Sequence, residues 1–241
     1  MALNASKVTS LPLNSHNKSQ KTIMSKTTSI QWGENVIIAD ADYIDRVAFH
    51  LTVNFERMIG RHIPQADMAK WAECVALDGG CRKPENANTQ SNEKTHVILV
   101  HENTREQMDN FNPGTFTAKE ECDGKQLDAQ AFSGPLGEFL FHCIPSNEQR
   151  DSLKKTDILS DLLAHMADEE QVKRIVIIPD LESDSNTINS LMPVIRHLDR
   201  EHSEKRVTLL AMQPLSGLPC RTEILGYSLL AALGVKAEEI K

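Results

Sequence analysis

Apolar and polar positions alternate along the chain in two rhythms, and together they predict a sheet of short strands separated by helices. Val36-Ile37-Ile38-Ala39 is a compact apolar run with β-branched residues, as a buried strand requires, and it ends in Asp40-Ala41-Asp42. From there Ile44, Val47, Ala48, Leu51, Phe55, Met58 and Ile59 recur at helical spacing. Asp42 is the expected N-cap of that helix and Gly60 its end. A second helix is expected from about Gln65 to Leu77, stopping at Gly79-Gly80. Strands follow at His96–His101 and Glu138–Pro145. Between them, residues 102–137 have weak patterning and read as a long loop, an excursion or a hairpin. The last hundred residues predict a helix over Asp157–Glu170, a strand over Arg174–Pro179 and a helix through Ile188, Leu191, Met192, Ile195 and Leu198. A strand over Arg206–Met212 and a closing helix over Thr222–Leu233 complete the series. Strand–helix alternation with apolar strand cores gives one α/β domain. It is expected to be three-layered, with helices on both faces of a mainly parallel sheet of about five strands.

Composition narrows the picture. The chain has 241 residues, 26 Lys+Arg against 34 Asp+Glu, and a formal charge of -8. Residues 1–30 hold four lysines and no acid, so the remainder carries -12. That first stretch, rich in Ser, Thr, Asn and Lys, reads as a disordered leader, with a single domain over residues 31–241. An acidic body argues against broad coating of nucleic acid and leaves room for a local cationic groove or an acidic metal pocket. Five scattered cysteines without a CxxC pair, and no apolar run of about 20 residues, point to a cytoplasmic protein without a membrane span.

Candidate chemistry sits at the strand ends, where parallel sheets bind ligands. One strand ends in Asp40 and Asp42. Another ends in Asp180 and Glu182, with Asp184 just beyond, and Asp157 opens the helix before it. Carboxylates crowded in one crevice stay ionised together when a cation lies between them, and hard oxygen donors suit Mg²⁺ or Mn²⁺. Taken singly, each acid is more often a helix cap than a ligand.

Ile37-Ile38-Ala39-Asp40-Ala41-Asp42-Tyr43, then Lys154-Lys155-Thr156-Asp157, then Ile178-Pro179-Asp180-Leu181-Glu182-Ser183 follow one another in an order that resembles the NYN branch of the PIN-like nuclease superfamily. The resemblance spans Asn35 to Met212 at the level of pattern. It implies a PIN-like, Rossmannoid fold and metal-dependent cleavage of RNA. By position, Asp40, Asp157, Asp180 and Glu182 would be catalytic and would hold Mg²⁺ or Mn²⁺ with Asp42, while Lys154 and Lys155 would touch substrate phosphate. The third motif departs from the family's Ser-Gly-Asp-x-Asp-Phe, so a catalytically degenerate relative belongs to the same expectation. Asp40-Ala41-Asp42 also resembles the first motif of haloacid-dehalogenase-type phosphatases, with Asp184 in a late metal motif. The third class is a non-catalytic, self-associating interaction protein. Its homo-oligomer would form through the C-terminal helix, which is apolar over much of its circumference.

Overall fold

The computed structural model describes residues 31–83, 91–102, 107–114, 128–146, 154–184 and 186–240. Residues 31 onward form one compact unit. The expected leader, residues 1–30, lies outside the described residues.

The molecule is an α/β protein with a mainly parallel sheet. β1 (Asn35–Asp40), β3 (Lys94–His101), β6 (Gly137–Pro145), β7 (Arg174–Ile178), β8 (Arg206–Ala211) and β9 (Arg221–Ile224) run parallel. β5 (Asp128–Gly134) pairs antiparallel with β6. The sheet has seven strands in the order β5-β6-β3-β1-β7-β8-β9, so it is wider than the five expected and mixed at one edge. A separate two-stranded ribbon joins β2 (Ala66–Asp67) and β4 (Phe111–Asn112). β4 and β5 fall inside residues 102–137, so part of that stretch pairs as strand. The helices are α1 (Ala41–Ile59), α2 (Met68–Asp78), α3 (Lys155–Asp168), α4 (Thr187–Glu201) and α5 (Leu225–Ala232).

Central position explains the composition of β1. Every residue of that strand is buried, as expected where neighbours and helices cover a strand on all sides. Ile37 and Ala39 join the core built from α1, α2 and α5, with Trp71 and Tyr43 among its largest buried side chains. Side chains alternate faces along a strand, so Val36, Ile38 and Asp40 point the other way, and α3 packs against β1.

Several element boundaries differ from the sequence expectation, with α2 beginning at Met68 rather than about Gln65 and α3 at Lys155 rather than Asp157. α1 begins at Ala41, and its N-cap is Asp40, whose side chain accepts from the Tyr43 N–H. Asp42 is therefore a first-turn residue, free of the capping role expected for it. Gly60 ends α1 in the left-handed conformation, with its N–H on Glu56 O. Met58, expected on the buried face, is half exposed. At the C-terminal end, Arg221–Ile224 pairs with β8 as strand β9, and α5 starts only at Leu225.

Candidate functional site

Parallel direction and register bring the acidic strand ends together. β1 lies between β3 and β7, with Ala39 opposite both Leu99 and Ile178. Asp40, the residues after His101 and the residues after Ile178 therefore share one edge of the sheet. The helix that follows β1 and the helix that precedes β7 both have their N-termini there.

Lys155 is the organising residue. It opens α3, and its side chain is largely buried. Its Nζ lies 2.9 Å from Asp40 Oδ1, 3.0 Å from Asp42 Oδ2 and 2.9 Å from Glu102 Oε1. The Glu102 N–H donates to Asp42 Oδ2 at 2.7 Å, which ties the end of β3 to the start of α1. Burial pushes the Asp40 carboxyl up to about 6, although Lys155 and the Tyr43 N–H pull against that rise. For Asp42, burial is outweighed by the Glu102 N–H and Lys155, so it lies below the ordinary carboxylate value. For Lys155, burial is outweighed by Asp40, Asp42 and Glu102, which hold the ammonium charged well above the usual range.

A second ion pair sits beside the first. Arg46, one turn after Asp42 on α1, donates to Asp180 Oδ2 at 2.7 Å and to Ser183 Oγ at 3.1 Å. Its guanidinium carbon lies 5.4 Å from the centre of the Tyr43 ring. Asp180 Oδ1 accepts from the N–H groups of Glu182 and Ser183, each at 3.0 Å, and so shapes the turn after β7. Arg46 and these donors outweigh burial and hold Asp180 below its ordinary value. Both Asp40 and Glu182 lie close enough to favour the charged form of Arg46.

His101 completes the edge. It is fully buried at the end of β3, and neither ring nitrogen has a hydrogen-bond partner among the described residues. Burial lowers it to about 4, so the ring is neutral near pH 7 even beside Asp42.

The expected site residues thus divide. Asp40, Asp42 and Lys155 meet directly, and Asp180 and Glu182 lie on the same edge around Arg46. Asp157 is exposed and accepts from the Lys154 N–H at 3.3 Å, so its carboxylate is turned back onto the start of α3. No hydrogen bond or ion pair joins Asp157 to Asp40 or Asp180 among the described residues. Lys154 is exposed at the N-cap. Asp184 accepts from the Asn186 N–H at 2.8 Å, just before α4. Glu102, Arg46 and His101 were not singled out as site residues from sequence. Glu102 and His101 stand at a predicted strand end, and Arg46 lies four residues from Asp42 on a predicted helix; those placements were the available signals.

The C-terminal helix packs inward. Leu225, Leu229 and Ala232 of α5 are buried in the core, while Tyr227 is exposed. Among the described residues no helix is long and apolar enough to cross a membrane.

Residues 29–240 match DUF6621, a family of unknown function, and the chain belongs to that family. Neither the curated proteins nor the solved structures contain a match to it.

Proposed function

We propose that the acidic edge is a phosphate-ester site of the PIN-like kind, acting on RNA in a local groove with Mg²⁺ or Mn²⁺, in a three-layer α/β/α frame. The observation that carries this reading is Lys155 Nζ held among Asp40, Asp42 and Glu102. A cation already occupies the centre of three hard oxygen donors, and three carboxylates against one ammonium leave a local charge of -2. That charge and donor set fit a divalent ion of the Mg²⁺ class, with Asp40, Asp42 and Glu102 as the residues to hold it. Such an ion supplies a polarised water and neutralises charge on a phosphate.

The protein's own groups have distinct tasks in this reading. Lys155, released from one carboxylate, turns its ammonium to a phosphate oxygen. Arg46, partly exposed beside Asp180, offers a planar donor to a neighbouring phosphate. Asp40 anchors Lys155 through Oδ1 and would be one of the oxygen donors to the ion. The phosphatase alternative is disfavoured by α1, which starts at Ala41 and leaves no segment for a flap between Asp40 and the helix.

The test uses Asp40→Asn, because Asn also caps helices. Wild-type protein with Mn²⁺ should cleave single-stranded RNA, and the variant should be slower by about 100-fold or more. Lys155→Met removes one member of a buried charge cluster, and should lower stability by about 3 kcal/mol at pH 7. Mn²⁺ should then raise the melting temperature of Lys155→Met more than that of wild type. Cleavage that is absent in wild type, together with a Lys155→Met variant indifferent to Mn²⁺, would sink the proposal. Hydrolysis of a phosphomonoester in its place would revive the phosphatase.

A further inference from the structure

A second cluster lies at the far end of α3. Lys155 and Asp168 begin and end that helix, so about 20 Å separates them at about 1.5 Å per residue. Asp168 meets two histidines of α4: His197, near its C-terminal end, and His202, its C-cap. A carboxylate oxygen and two imidazole nitrogens, one from each residue, lie within 4.8 Å of one another. The two imidazole rings approach edge-on, with centroids 5.4 Å apart.

Two further features favour a cation here. The C-terminal ends of α3 and α4 converge on this spot, and each carries the partial negative charge of its helix. Lys205 already exploits that field: its ammonium donates to the carbonyl oxygens of Met166, Ala167 and Glu169 at 3.2, 2.6 and 2.6 Å. In addition, Glu204 Oε1 lies 3.6 Å from His202 Nδ1. Its negative charge adds to the field of the two helix ends at this spot.

We propose that Asp168, His197 and His202 bind a divalent transition metal of the zinc class, at a site separate from the acidic edge. Two imidazoles with one carboxylate suit Zn²⁺, Co²⁺ or Ni²⁺, whereas Mg²⁺ prefers oxygen donors alone. Bonds of about 2.0–2.1 Å in a tetrahedral site place donors about 3.3 Å apart. The three side chains therefore need to close by at most roughly 1.5 Å, a side-chain adjustment open to exposed Asp168 and His197 and half-buried His202. Three protein ligands leave a fourth position for water or an incoming ligand. The bound ion joins the ends of α3 and α4 and stabilises the folded chain by mass action.

The experiment titrates full-length, chelator-stripped protein with Co²⁺ and with Zn²⁺. One equivalent of Co²⁺ should give the visible bands of a four- or five-coordinate ion. Zn²⁺ at about 100 times its Kd should raise the melting temperature by about 5–10 °C. His197→Ala and His202→Ala should each abolish the bands while leaving the circular dichroism spectrum unchanged. Asp40→Asn should keep both signals. Loss of the signals in Asp40→Asn would place the ion at the acidic edge and overturn the proposal. Their persistence in the His197→Ala/His202→Ala double variant, or their absence in wild type, would overturn it equally.

Discussion

Single residues carry two loads at once in this molecule. Asp40 caps α1 through its Oδ1 and also contributes charge to the Lys155 cluster, so Asp40→Ala would confound helix stability with chemistry where Asp40→Asn does not. The buried histidines make a separate, pH-linked prediction. His142 Nε2 lies 2.8 Å from His96 Nδ1 on the interior of β3 and β6, and burial lowers His142 to about 4. His101 is lowered to about 4 for the same reason. The ordinary imidazole value is 6.5, so on acidification the unfolded chain takes up these protons first. Stability is therefore full above about 6.5 and declines as pH falls towards 4, by about 2 kcal/mol per histidine between pH 7 and pH 5. Asp40 acts in the opposite sense. Its folded value of about 6 exceeds the ordinary 3.8, so its protonation favours the fold as pH falls through that window. The expected outcome in urea titrations is a net loss from pH 7 to pH 5. That loss should be shallower by about 2 kcal/mol in His142→Gln; an unchanged slope would remove His142 from the account.

Elements were legible where they were long and periodic. The cores of α1, α3 and α4 follow from their apolar spacing, and β1, β3, β6, β7 and β8 from their apolar runs. Short elements were not. Arg221–Ile224 carries no rhythm that separates strand from helix over four residues, and only its partner β8 makes it a strand. The start of α1 shifted for a similar reason. Asp40 and Asp42 are both competent caps by type, and the extended backbone at Asp40 decides between them. α2 offers a clean test of how much such a cap contributes. Asp67, which is exposed, accepts from the Lys70 N–H at 2.9 Å. Asp67→Ala should lower stability by about 1 kcal/mol in thermal or urea unfolding.

For the whole molecule, the sequence located the acidic edge through one rule, that ligands gather at the carboxyl ends of parallel strands. It could not say which acids meet there, because that depends on neighbours distant in the chain. Glu102 belongs to the site because β3 lies beside β1, and Asp157 turns to its own helix because α3 needs a cap. The central place of β1 also bears on synthesis. Among the described residues it is the first strand in the chain, yet one neighbour, β7, comes 139 residues later, where Asn35 meets Arg174. Until then one side of a strand with an apolar centre, Val36–Ala39, has no hydrogen-bonding partner, and exposed strand edges recruit other chains. A nascent chain therefore stays vulnerable through most of its translation. A polypeptide stopped before residue 174 should collect in the insoluble fraction, while one that includes β8 recovers solubility.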